Sequence, residues 1–208
     1  MSTEVVGANP FKEQRVFVRT LQYDLECLLS VVGLLDLEDP RERVYDGVTV
    51  ARCTMNPRIK TVDGLVEYQR PLVWTLEDKQ SLLDSVYDRL DCGKVVIRQK
   101  TYDMVMKEVK EGREDVAYIE VVDGKQRLSA IKDFIHNKYP DRYGNYFSDL
   151  SKKARREFQH SQALVCCQLP DDISGRDILE QFLRVNVAGV PQSSEHIQVI
   201  KKLLEVVV

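Results

Sequence analysis

Ala117-Tyr118-Ile119-Glu120-Val121-Val122, followed by Asp123-Gly124-Lys125-Gln126-Arg127 and then Leu128-Ser129-Ala130-Ile131-Lys132-Asp133-Phe134-Ile135, is the stretch that decides the fold. Its first six residues read as a short buried strand. Leu128, Ile131, Phe134 and Ile135 recur at helical spacing. The turn between them is polar and contains glycine, so it ends a strand and opens a helix. Such a turn leaves backbone N–H groups without acceptors at the positive end of the helix dipole, and Lys125 and Arg127 add charge there. The place suits a phosphate. The competing reading is a plain Asp-Gly turn followed by a charged first helical turn. Lys and Arg in that turn oppose the dipole by roughly a few tenths of a kcal/mol unless an anion is present, which favours the phosphate.

Upstream, Leu21, Leu25, Leu28, Val32 and Leu35 fall on one stripe, and an amphipathic helix is expected over roughly 15–35. A charged stretch, Glu38 to Arg43, and the turn Asp46-Gly47 precede a strand from Val48 to Cys53. Residues 1–59 are thus expected to form an N-terminal extension on a main domain spanning 60–208. From Lys60 the pattern is mixed α/β. Val62 to Tyr68 is extended around Asp63-Gly64, Thr75 caps a helix with Asp78 three residues on, and Lys94 to Arg98 is a strand. Thr101 caps the next helix, which Gly112 closes.

Downstream, the polar segment Asn137 to Ser148 is expected to be a mobile lid. Ser148 or Asp149 caps a helix through Phe158, and Ala163 to Leu169 is a strand. Ser174 caps a helix through Val187, and Ser194 starts a terminal helix. That helix ends Glu205-Val206-Val207-Val208, an apolar end available to another copy of the chain, so a homo-oligomer is expected.

Composition narrows the function class. At 208 residues, 43% hydrophobic and 30% charged, the chain is an ordinary globular protein without a membrane span. Met1-Ser2-Thr3-Glu4 lacks the basic start and apolar core of a signal peptide, so a cytoplasmic location is the default. The five cysteines form no C-x-x-C pair and their odd number favours reduced thiols. His136, His160 and His196 have no ligand spacing, so no metal site is expected. A net charge of -3 argues against coating nucleic acid by charge alone. The basic cluster Lys152-Lys153-x-Arg155-Arg156 reads as a solvated helix face.

Two further motifs carry polar chemistry. In Tyr68-Gln69-Arg70-Pro71-Leu72-Val73-Trp74, Pro71 biases Arg70 toward an extended conformation. Arg70 suits bidentate phosphate binding, and Tyr68 or Trp74 suits stacking on a base; the alternative is that both aromatics are core and Arg70 pairs with a surface acid. In Phe182-Leu183-Arg184-Val185-Asn186-Val187-Ala188-Gly189, Arg184 and Asn186 stand where a helix ends. They either close over a ligand or, in the case of Asn186, cap the helix.

Together, in this order and spacing, the three motifs resemble the ParB/sulfiredoxin-like domain at the N-terminus of GmrSD-type, modification-dependent restriction systems. That family shows Y-Q-R-x-x-x-W, then D-G-Q-Q-R-L opening a helix, then F-x-R-x-N-x-G-G-x-x-L. The resemblance covers about residues 60–200 and implies a compact α/β (α+β) mixed-sheet domain with surrounding helices and an N-terminal helical extension. It implies binding, and often Mg-dependent hydrolysis, of a nucleoside triphosphate, coupled to DNA binding or cleavage in a defence or counter-defence setting. Carried onto this chain, Asp123, Gln126 and Arg127 take the catalytic roles: Asp123 holds a divalent ion or orients Arg127, and Gln126 positions a water. Tyr68, Gln69, Arg70, Gly124, Lys125, Arg184 and Asn186 line the nucleotide site.

Two departures stand out: Lys125 in place of the first glutamine, and Ala188-Gly189 in place of Gly-Gly. The H-N-H-type nuclease of full-length restriction proteins of this kind is not among these 208 residues. A separate nuclease or defence protein is therefore an expected partner. Three readings follow: a nucleotide-binding NTPase or switch, a non-catalytic regulator or decoy that binds DNA or a protein, and a DNA nickase.

Overall fold

The computed structural model describes residues 18–34, 43–188 and 194–208, without the side chains of 185–188 and 194. In chain order its elements are β1 (Arg19–Leu21), α1 (Leu25–Val31), β2 (Arg43–Tyr45), β3 (Val48–Thr54), β4 (Arg58–Thr61) and β5 (Gly64–Glu67). Then come α2 (Leu76–Tyr87), β6 (Lys94–Gln99), α3 (Tyr102–Lys110), β7 (Val116–Asp123) and α4 (Lys125–Ile135). The last are α5 (Lys152–Gln159), β8 (Val165–Leu169), α6 (Gly175–Ala188) and α7 (Ser194–Val206). Six strands form one mixed sheet in the order β1-β8-β6-β7-β3-β2, and β4 and β5 make a separate hairpin. β6 runs parallel to β8 and β3 parallel to β7; the other pairs of the main sheet are antiparallel. This is the mixed α/β class expected from the sequence.

The sheet is covered on both faces, which is why β7 is almost uniformly apolar instead of alternating. Ile119 and Val121 turn to one face, packing with Val95 and Ile97 of β6 against α1, α2, α4 and α5. Val122 turns to the other, with Val96, Cys167 and Leu169 against Ile178, Leu179 and Phe182 of α6 and Ile200 of α7. Farther along that face, Val50 and Val116 meet Val105 and Val109 of α3. Glu120 is the exception, a carboxylate only 5% exposed. It is held by Arg98 at 3.3 Å and Lys100 at 2.7 Å, and Lys100 also meets Glu108 of α3 at 2.7 Å. A charge this deep persists only when it is paired.

Several expectations change. Among the described residues, the helix expected over 15–35 is α1 alone. Asp24 caps it, accepting from the Cys27 N–H at 2.7 Å, while Arg19 to Leu21 leave the helical path and pair with β8. Residues 1–17 and 35–42 lie outside the described residues. The stretch read as an extension supplies β1, β2 and β3 to the main sheet, with Val50 opposite Val116. The apolar residues of β3 find their partner strand in β7, far along the chain, a pairing no local pattern encodes.

The segment 137–148 is not shaped as a loose lid. Asp141 is buried and its carboxylate accepts from the backbone N–H groups of Tyr143 and Asn145 at 2.9 and 2.8 Å, while Tyr139 and Phe147 pack against Phe134. Tyr, Asn, Asp and Gly suit a loop by composition; here Asp141 closes a turn on itself, Tyr139 and Phe147 are core, and Tyr143 and Tyr146 stay exposed. Ser151 caps α5, not Ser148 or Asp149. At the C-terminus, Val206 accepts from the Val62 N–H, Val208 donates to Lys60, and Val207 packs into the second core, so much of that apolar end is used within the chain.

Candidate functional site

The junction between β7 and α4 depends on one glycine. Gly124 has φ +97°, and a Cβ there would stand 2.9 Å from Val95 Cγ2 and 3.2 Å from the Val95 Cα. Only glycine fits both the left-handed backbone and the approach of β6. Gly124 offers no side-chain cap, and the first intrahelical bond is from the Leu128 N–H to its carbonyl at 2.9 Å. The amides of Lys125, Gln126 and Arg127 therefore have no intrahelical acceptor. Arg127 reaches back one turn to Asp123 at 3.2 Å and also donates to the Lys94 carbonyl, lying against Gly93. Its Nε is buried without a partner.

Lys125 and Gln126 bind chain instead of facing open space. The Gln126 Oε1 accepts from the N–H groups of Val73 and Trp74 at 3.1 and 3.4 Å, and its Nε2 donates to the Pro71 carbonyl at 2.8 Å. Lys125 donates to Asn56 and, at 3.3 Å, to the Arg70 carbonyl, with Glu67 at 3.6 Å. Gln69 is buried and donates to the carbonyls of Val121 and Val122, the latter at 3.0 Å, just past the last β3–β7 pair at Thr54 and Glu120. There the amide supplies donors where the neighbouring strand has ended. The Gln69–Trp74 segment is thus a strap laid across the end of β7 and the first turn of α4. The first two motifs form one unit.

Arg70 sits in the middle of that strap. The residue is half-buried, and its guanidinium has no acidic partner among the described residues, unlike that of Arg127. His196 of α7 lies within its field: burial first, and the Arg70 charge second, hold that imidazole below its ordinary pKa. The Phe182 ring stands 5.9 Å from His196 and 5.5 Å from the Tyr68 ring, both edge-on. Tyr68 is 2% exposed, so its ring is core and not a platform for a base. Its hydroxyl is buried, and burial followed by the Glu120 charge pushes the phenol well above its ordinary pKa.

Beside Asp123 a hollow of about 250 Å³ opens between the sheet and α6. Val96, Val122, Leu169 and Phe182 give it apolar walls; Lys94, Asp123, Thr20 and Gln181 give it polar ones.

The sequence-derived site residues thus divide. Asp123, Gly124, Lys125, Gln126, Arg127, Gln69 and Arg70 come together around one helix N-terminus. Tyr68 lies beneath them in the core. Arg184 does not join them: it is exposed on α6, 3.7 Å from Glu180 of the same helix. The side chain of Asn186, like residue Gly189, lies outside the described residues. Trp74 packs partly buried against the first core, the alternative given for it. Among the described residues no group of three or more His, Cys, Asp or Glu side chains stands ready for a metal ion, and all five cysteines are free thiols. Sequence reasoning missed Lys94, Gln181 and His196. The only signal for Lys94 was Gly93 before it, and its place beside Asp123 follows from the β6–β7 pairing, which is non-local.

Among the described residues no helix is long and apolar enough to cross a membrane. No curated protein and no solved structure matches the chain. The strap and the β7–α4 junction both lie within residues 65–198, which match the N-terminal domain of the GmrSD restriction endonuclease, and the chain belongs to that family.

Proposed function

We propose that the chain binds a nucleoside triphosphate at the β7–α4 junction and uses it, with Mg, to act on or near DNA in a restriction or defence setting. One observation carries this reading. Arg70 is a half-buried cation without a counter-charge among the described residues, and its own carbonyl is tied to the first turn of α4, whose amides are uncapped. Both features are relieved by an anion placed between them. Asp123 neutralises Arg127 and is the carboxylate at hand for a Mg ion arriving with the phosphates. The membership in a restriction endonuclease family supports the setting.

A second reading, binding without turnover, is favoured by Gln126. Its carbonyl oxygen has two lone pairs, and both face N–H groups of the strap, so it has no acceptor to spare for an attacking water. One experiment separates the two. Calorimetry with ATP, GTP, CTP and UTP plus Mg is run beside a phosphate-release assay on wild type and Arg127→Ala. Binding with release, both weakened at least tenfold in the variant, supports the enzyme. Binding without release supports the regulator. No binding of any of the four at millimolar concentration ends the triphosphate reading and leaves a regulator that binds DNA or a protein, which a pull-down of its complex tests.

A further inference from the structure

Resting on the triphosphate reading above, the hollow beside Asp123 has a use that the phosphate contacts leave open. Two of its polar residues are the ones to which Arg127 is fastened: Asp123 by its carboxylate and Lys94 by its carbonyl. The hollow therefore begins where the phosphate-binding turn ends. Its other walls are Val96, Val122, Leu169 and Phe182, with the half-buried Gln181 and the exposed Thr20 also lining it. A volume of about 250 Å³ is below the roughly 300–1,000 Å³ of sites that enclose a whole ligand, so it takes part of one. A mostly apolar slot with a few polar groups, lined in part by the two residues that anchor Arg127, suits a heterocycle attached to phosphates.

We propose that this hollow is the nucleobase subsite, with Val96, Val122, Leu169 and Phe182 enclosing the faces of the base and Gln181 and Thr20 reading its polar edge. The Gln181 amide presents a donor and an acceptor side by side, the pattern needed to tell one base edge from another. The slot is made by β1, β6, β7, β8 and α6, none of which belongs to the strap, so the base is held by parts of the fold other than the strap that carries Arg70. Selectivity can then change without loss of phosphate binding.

The test compares the full-length chain's affinity for the four nucleoside triphosphates with that for inorganic tripolyphosphate, each with Mg, in wild type, Val96→Phe and Gln181→Leu. In wild type at least one nucleotide should bind about tenfold or more tighter than tripolyphosphate. Val96→Phe, which fills the slot, should bring that nucleotide down to the tripolyphosphate level and leave tripolyphosphate unchanged. Gln181→Leu, a rim change that leaves the core intact, should alter the ranking of the four nucleotides by fivefold or more, again with tripolyphosphate unchanged. Equal affinity of wild type for tripolyphosphate and every nucleotide overturns the subsite and spares the phosphate site. So does a ranking that Gln181→Leu leaves unmoved. Failure of tripolyphosphate and nucleotides alike overturns the triphosphate reading itself, and the subsite with it.

Discussion

Arg70 and Arg127 are both guanidinium groups at one end of the sheet, yet they stand in opposite electrostatic situations. Arg127 is fastened to Asp123 and the Lys94 carbonyl, whereas Arg70 has no acidic partner among the described residues and is felt by His196. That field has a direct readout. Removing the cation in Arg70→Ala should raise the His196 pKa, measured by NMR titration of its ring protons. The value should stay below the ordinary range, because burial is the larger cause. Tripolyphosphate added to wild type should raise it too, since an anion on Arg70 cancels the same charge. A His196 titration unmoved by both would show that Arg70 neither faces α7 nor collects the anion. Lys125 teaches a related lesson. Replacing a neutral amide by a cation looked like an added phosphate ligand, but its charge goes to Glu67, Asn56 and the Arg70 carbonyl. A side chain's chemistry is readable in sequence; its direction is not.

Among the elements, the β7–α4 junction was the most legible. A run of apolar residues, Asp-Gly, and a 3.6-residue stripe placed the strand end and helix start where they are found. The cost of disturbing it follows from geometry. Gly124→Ala meets both the left-handed backbone penalty and contact with Val95, and should destabilise the fold by about 2 kcal/mol or more, read as a lower urea midpoint at unchanged slope. A variant as stable as wild type would mean that β6 gives way there. The strap was less legible. Pro71 and Trp74 marked an extended entry into α2, but a bond from Gln126 to the backbone of residues 71–74 joins parts of the chain more than fifty positions apart. Nothing local announces it. The loop at 137–148 failed in the opposite sense: its composition is that of a lid, and its Asp141, Tyr139 and Phe147 turn inward instead.

For the molecule as a whole, the sheet is held by two apolar layers and one buried ionic group. Glu120 on β7 and Glu108 on α3 neutralise Lys100, which is 1% exposed. Glu120→Gln keeps the shape but leaves Lys100 and Arg98 short of charge. It should lower stability by about 3–5 kcal/mol in urea unfolding, as removal of one partner from a buried pair does. A loss below about 1 kcal/mol would mean that water reaches Lys100. The group also bears on the site, since the Glu120 charge acts on Tyr68 at the root of the strap.

The sequence by itself determined the mixed α/β class, the caps at Thr75 and Thr101, the glycine turn at Gly124 and three motifs whose order and spacing resemble one family. Each is a local or periodic property, written in neighbouring residues. Only the tertiary structure decided that β1 and β3 join the main sheet, that Gln126 and Lys125 hold a strap, that Arg184 stands apart and that a hollow opens beside Asp123. Those outcomes depend on pairings between distant strands and on where a side chain points once both faces of the sheet are covered. Neither is encoded in spacing along the chain.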